Sequence, residues 1–272
     1  MPRSPKEFHE YLVAPTTAHV GHDDYVRSPA TAFLKYTVEA KSSVDLCIRR
    51  FTRNFDGAYR KDSLDSIQHL VAGMLPAVMG HFETYERYLF ASMFDLSSHL
   101  TKFDVDQFLT RLTKEREVSI DLRRLAAYRG VGAQSIGLLL ADSLSGWQNP
   151  KRVDEIFGAF GLPWQLLSAE SCRRLSVLWQ LRHSIVHTGG TLTLADSQKV
   201  PDLATLGDRK VVFDERFISE VARKLHPLVK SATDGMGAAY VARLEPSTPS
   251  GVRSRVDDLF TVRSSVPVWL RP

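Results

Sequence analysis

Apolar side chains recur every three to four residues along most of this chain, the signature of amphipathic helices. Leu64, Ile67, Val71, Met74 and Leu75 form one such stripe, and Val78, Phe82, Tyr85, Leu89, Met93 and Leu96 form a second. Pro76 falls between them and predicts a kink or an interruption, because proline has no N–H to donate and its ring crowds the preceding turn. Asp104 is placed to cap a shorter helix carrying Val105, Phe108, Leu109 and Leu112. Another is expected from about Ile120 to Tyr128, ended by Gly130. Asn149 and Pro150 open a helix through Val153, Ile156 and Phe157 that Gly161 closes.

A longer run begins near Ser168, carries Glu170 in its first turn and continues to His187. Gly189 then supplies a residue able to turn left-handed past the helix end. Thr191 to Leu194 and Lys210 to Phe213 alternate in polarity and predict a small hairpin across a Pro-containing loop. Asp214 is expected to cap a last helix with Phe217, Ile218, Val221, Leu225 and Leu228 on one stripe. The ends are less periodic. Residues 1–60 read as an N-terminal arm or small subdomain with one alternating stretch, Tyr36 to Ala40, as a strand candidate. Residues 241–272, rich in Pro, Ser, Arg and Val, read as an extended tail that could pack on a partner through Trp269. The expected fold is therefore an all-α helical bundle over residues 61–240, with a small β-hairpin and irregular arms.

Composition narrows the class. With 272 residues, 43% of them hydrophobic and 24% charged, the chain can bury a sizeable core as an ordinary globular protein. No apolar run approaches the ~20 residues of a membrane span, and the polar start lacks the apolar core of a signal peptide. Cys47 and Cys172 do not make a disulfide framework or zinc ribbon, so a cytoplasmic location is expected. A net charge of +4 permits a polyanionic partner without demanding one.

The candidate chemistry lies at the end of the Ser168–His187 run, in Leu181-Arg182-His183-Ser184-Ile185-Val186-His187-Thr188-Gly189-Gly190. Leu175, Leu178 and Ile185 mark a packing seam, and Arg182 occupies a slot in it where a leucine would be expected. A cation there needs either a core carboxylate or a polar site beside it. Glu83 and Glu86, on a helix able to cross this one, are the candidates to orient Arg182, with Glu83 preferred; Glu83 could instead pair with Arg87 on its own flank. His187 can take or give a proton near neutral pH. His183 and His187 share a face at i,i+4, the spacing of helical zinc ligands, but no third ligand is evident. His183 is read as a hydrogen-bonding support to Arg182 or His187, with no metal. Arg173 and Arg174, upstream on the same helix, are candidate RNA contacts. The basic excess of Arg111, Lys114, Arg116, Arg123, Arg124 and Arg129 is a weaker one, since a charge run is usually a solvated face.

Five residues at about 100° each separate Arg182 and His187 by roughly 140° around a helix. They converge only if the helix ends or bends at His187, or if two copies meet.

R-x4-H at a helix end, with a polar residue after the arginine, resembles the active-site motif of the HEPN superfamily, a group of all-α domains that includes metal-independent ribonucleases of toxin and phage-defence systems. The likeness spans about residues 64–229 and includes the Gly189-Gly190 pair and Thr191 to Leu194 that follow the motif. It implies Arg182 and His187 as catalytic residues, His183 as their polar neighbour, RNA as substrate, no cofactor, and a homodimer in which both motifs line one cleft. It also implies a toxin or antiviral effector, open to control by an antitoxin or regulatory protein. HEPN toxins silenced by a nucleotidyltransferase carry a tyrosine where Gly189 stands here, so the likeness does not extend to that control. The rival readings are a non-catalytic HEPN-like module binding RNA, nucleotide or protein, and a metal-dependent hydrolase built on His183 and His187.

Overall fold

The computed structural model describes residues 19–114 and 135–263. The helix expected at Ile120–Tyr128, the basic run beyond Lys114, and Trp269 lie outside the described residues. In chain order the helices are α1 (His22–Arg27), α2 (Pro29–Arg50), α3 (Lys61–Asp95), α4 (Val105–Thr113), α5 (Ile136–Ser143), α6 (Pro150–Gly158), α7 (Ala169–His187), α8 (Leu194–Ser197), α9 (Phe217–Val241) and α10 (Ser250–Phe260). Strands β1 (Thr191–Leu192) and β2 (Arg209–Lys210) pair antiparallel, Thr191 with Lys210 and Leu192 with Arg209. The fold is all-α with a small hairpin after α7. No helix among the described residues is long and apolar enough to cross a membrane.

Helix α3 is the axis. It runs 35 residues without a break, so the interruption expected at Pro76 does not occur. Ile67, Val71 and Leu75 before the proline and Val78, Met79 and Phe82 after it are all buried. Packing on both sides keeps the helix intact despite a cost of ~3 kcal/mol for an interior proline. Helices α2, α5 and α7 pack along α3, and α9 packs on α2. The α3–α9 side is sealed by buried polar groups that are satisfied: Tyr85 Oη lies 3.0 Å from Thr233 Oγ1, and Tyr240 Oη donates to Met93 O at 2.9 Å. Near the far end of α3, Phe90 sits among Phe108, Trp147, Phe157 and Phe160, and the Trp147 indole N–H donates to Ala141 O at 3.0 Å.

The N-terminal part departs from the expected arm. Tyr36 to Ala40 belong to α2 and form no strand. Phe33, Leu34, Thr37, Ala40 and Val44 are buried at helical spacing, which overrides the short alternation. Tyr25 of α1 places its hydroxyl 2.7 Å from His81 Nδ1 on α3, tying the first helix to the axis. The tail expected to be extended contains α10, whose Val256, Leu259 and Phe260 are buried. Caps follow the sequence at Asp104, Asn149 and Ser168, each accepting from backbone N–H groups of its helix. Asp214 instead caps the turn before α9, accepting from Arg216 N at 2.8 Å.

At the α3–α5 crossing the backbones touch closely: a Cβ on Gly137 would stand 2.1 Å from Ala91 O. Gly137→Ala is therefore expected to destabilise the fold by roughly 1–3 kcal/mol, as overpacking does. Thermal melting checks this, and a Tm lower by about 2–10 °C is the expected outcome.

Candidate functional site

Helix α7 is fixed at both ends by local chemistry. Ser168 Oγ accepts from Ser171 N at 3.1 Å at the start. Glu170 in the first turn suits the helix dipole and also bonds Arg173 and Arg174, which hold its carboxyl down to about 2. At the other end Ser184 O accepts from Thr188 N, Thr188 Oγ1 and Gly190 N. Gly189 and Gly190 both take left-handed φ, +61° and +78°, so the chain reverses there into β1 as the sequence predicts. Val211 N then donates to Gly190 O at 2.6 Å, holding the return of the hairpin against this turn.

Within that frame Arg182 is half-buried, between the buried Leu175 and the half-buried Leu178 and Ile185 of the seam. Its Nε is shielded from solvent and has no hydrogen-bond partner, and among the described residues its guanidinium makes no ion pair. The orienting carboxylates are engaged elsewhere. Glu83 pairs with Arg87 at 3.3 Å, and Arg87 reaches on to Asp142 of α5 at 3.1 Å. Glu86 is fully buried on α3, and burial, with Glu83 adding to it, pushes its carboxyl well above the usual range. Burial, then Asp154 and to a lesser extent Glu86, raise the thiol pKa of Cys172 on α7, while no hydrogen bond or ion pair joins Glu86 to Arg182.

The two histidines come together. The rings of His183 and His187 lie 4.7 Å apart between centroids, tilted by 42°, with His187 exposed and His183 half-buried. Behind them stands a residue the sequence reading missed, Asp196 of α8. It is 6% exposed, accepts from Thr193 Oγ1 at 3.0 Å and lies 2.7 Å from Lys199 Nζ. Lys199 and Thr193 hold its carboxyl below the usual range, and His183 adds to that effect. The signal was available: Thr193-x-x-Asp196 has the spacing of a capping box, and Thr193 Oγ1 does accept from Asp196 N at 3.1 Å. The predicted alternation through Leu194 hid it, because one apolar residue fits either pattern.

Arg173 and Arg174 lie about 12–14 Å up the helix from Arg182. Both pair with Glu170, and Arg173 also pairs with Asp202, so neither is a free cation at the motif. Helix α7 is regular through His187, so Arg182 and His187 keep their angular separation within one chain. No group of three or more His, Cys, Asp or Glu able to hold a metal ion comes together among the described residues. The surface around the helix end is apolar for its position, with Val186, Leu194, Leu206 and Val212 all exposed. No family model, no curated protein and no solved structure matches this chain.

The buried Glu86 makes stability depend on pH. Its folded pKa is raised, so its protonated form favours the native state, and that stability is lost as pH rises from the ordinary carboxylate range through the folded value. Glu86→Gln should thus gain Tm over the parent chain progressively as pH rises. Melting curves at pH 5 and pH 8 check this; a difference that does not widen with pH refutes it.

Proposed function

We propose that this chain is a metal-independent endoribonuclease of the HEPN type, acting in the cytoplasm as a toxin or antiviral effector. The observation that carries the reading is Arg182: a cation in a packing seam, with its Nε buried and unpartnered, on the helix that presents His187 to solvent. An arginine kept there for stability would be expected to hold a carboxylate. An arginine left free to bind phosphate has a reason to go without one.

In this reading His187 takes the proton from a ribose 2′-OH, or gives one to the leaving 5′-oxygen. Arg182 stabilises the charge that builds on the phosphorane-like transition state. The products are a 2′,3′-cyclic phosphate and a 5′-hydroxyl. His183 lies against His187 with the two rings tilted and adds to the effects that hold the Asp196 carboxyl down, so it orients the proton carrier without exchanging the proton itself. Arg173 and Arg174, tied up with Glu170, are given no part in it.

Purified protein should cleave total RNA in EDTA, and His187→Ala should lose ~10²–10⁴-fold in rate, the usual contribution of a general base. Arg182→Leu should lose cleavage while raising Tm, since it completes the seam and removes a buried unpaired donor costing ~1–3 kcal/mol. Full cleavage by either variant sinks the assignment, and a lower Tm in Arg182→Leu makes the arginine structural.

The angular separation of Arg182 and His187 and the exposed Val186, Leu194, Leu206 and Val212 support a homodimer that brings two motifs into one cleft. Mixing inactive Arg182→Ala with inactive His187→Ala chains should then restore part of the activity. A one-chain mass by light scattering at an assay concentration where cleavage is complete is the contrary result.

A further inference from the structure

The turn between α2 and α3 presents an aromatic side chain that the fold does not use. Phe55 stands at its tip and is 115% exposed relative to a reference chain, the most exposed of the large apolar side chains among the described residues. The turn that carries it is built to hold its shape. Asn54 N donates to Ala58 O at 2.8 Å, Gly57 N to Asn54 O at 3.0 Å, and Ala58 N to Asp56 Oδ1 at 2.9 Å. Gly57 takes the left-handed φ of +84° that the reversal requires. Below the tip, Arg53 and Tyr59 form a bridge, with the Arg53 guanidinium 3.8 Å over the Tyr59 ring and its Nη1 donating to Gly57 O at 2.9 Å. The turn is bonded through its backbone, and its phenylalanine is left in water.

The stretch around Phe55 is basic. Between residues 49 and 61 the exposed Arg49, Arg50, Arg53, Arg60 and Lys61 stand against the one carboxylate of Asp56, with Asp62 next in sequence and Glu215 against Arg53. Helix energetics do not explain the cluster. Arg49 and Arg50 suit the C-terminal end of α2, but Arg60 and Lys61 stand at the N-terminal end of α3, where the dipole disfavours cations. Arg53 is within 3.7 Å of Glu215; no ion pair joins Arg49, Arg50, Arg60 or Lys61 to a described residue.

We propose that this turn is a binding site for single-stranded RNA, with Phe55 as a stacking platform for one base and Arg49, Arg50, Arg60 and Lys61 as contacts to the flanking phosphates. An exposed planar ring on a bonded turn, with cations on the helix ends to either side in sequence, suits the alternation of base and phosphate along a single strand. A duplex keeps its bases stacked on each other and offers the ring nothing. The turn is linked to the candidate active site through one segment: Val211 bonds the Gly190 turn after the motif, and Glu215, four residues later, meets Arg53. The exposed Arg209 and Lys210 precede that connecting segment and Arg216 follows it, while the segment itself carries Asp214 and Glu215. The proposal does not rest on the assignment of Arg182 and His187, because binding at this turn is measurable whether or not the chain cleaves RNA.

The test is fluorescence anisotropy of a labelled oligouridylate with the full chain carrying His187→Ala, in EDTA, so that the probe stays intact. Phe55→Ser is expected to weaken binding by about ten-fold, within the range of one base–aromatic stack. Phe55→Tyr should restore it, and Phe55→Leu should behave like Phe55→Ser, since leucine is apolar but does not stack. The double variant Arg49→Gln, Arg50→Gln should flatten the dependence of log affinity on log salt by roughly 1 to 1.5, the share of two phosphate contacts on a single strand. A duplex of equal length should bind with no effect of Phe55→Ser. Unchanged oligouridylate affinity in Phe55→Ser overturns the proposal. So does full recovery by Phe55→Leu, or a Phe55 effect confined to phosphatidylserine-containing vesicles, each of which makes the residue an apolar wedge. Circular dichroism melts confirm that the substitutions, all at the surface, leave the fold in place.

Discussion

Everything in this protein is arranged around the burial of α3. A helix of 35 residues is about 52 Å long at 1.5 Å per residue, and one with a proline near its middle stands only if both halves are enclosed. Each fully buried Leu, Met or Phe contributes on the order of 1.5–3 kcal/mol relative to exposure, so the apolar positions from Ile67 to Met93 outweigh the ~3 kcal/mol of Pro76 several times over. The enclosure has consequences for α7. It lies against the axis with little freedom to roll, and whatever its sequence puts in the seam stays there. Arg182 is held in place by that packing, with no carboxylate bonded to it.

The polar groups in the two flanks of α3 are treated differently. Toward α9, the buried hydroxyls of Tyr85, Thr233 and Tyr240 all have partners. On the α7 side, Glu86 Oε2, Trp179 Nε1, Gln180 Nε2, Arg182 Nε and Ser184 Oγ are buried without any. Leaving such groups unmade costs free energy, and native proteins keep them rare. Four of the five sit on one helix, within six residues ending at Ser184, immediately before His187. A bundle selected for stability alone would have made the second flank resemble the first. The unmet polar groups of the α7 flank are thus concentrated in the second half of that helix, close to the two histidines.

What could be read from the sequence followed the range of the signal. Caps are local, so Asp104, Asn149 and Ser168 and the left-handed Gly189 were legible from a few residues each. Periodicity over a dozen residues identified α3, α7 and α9. The strand expected at Tyr36 to Ala40 failed because five alternating residues are too few to compete with the buried repeat from Phe33 to Val44, which extends on both sides of them. Of the kink or interruption expected at Pro76, the interruption does not occur, because local sterics do not record how strongly the flanking turns are packed. In the site, His183 and His187 were readable as an i,i+4 pair, whereas the engagement of Glu83 by Arg87 and of Arg173 by Glu170 and Asp202 depends on which partner each side chain reaches first. Asp196 was hidden by a pattern that fitted both a strand and a cap.

The two chemically distinctive places in the molecule are far apart in sequence and joined by one segment. Val211 fixes the segment to the turn that ends α7, and Glu215 fixes it to Arg53 under the aromatic turn. Phe213 and Phe217, stacked with ring centroids 3.9 Å apart, stiffen the stretch between the hairpin and α9. The geometry of the one place is thereby transmitted to the other through a few residues with little slack. A flexible connection would have let Arg53 and Gly190 drift independently, and the bonding of this segment at both ends removes that freedom. The exposed cations stand outside that stretch, Arg209 and Lys210 before Val211 and Arg216 after Glu215, so the fixed segment itself carries the acidic Asp214 and Glu215 and is flanked by positive charge at both ends.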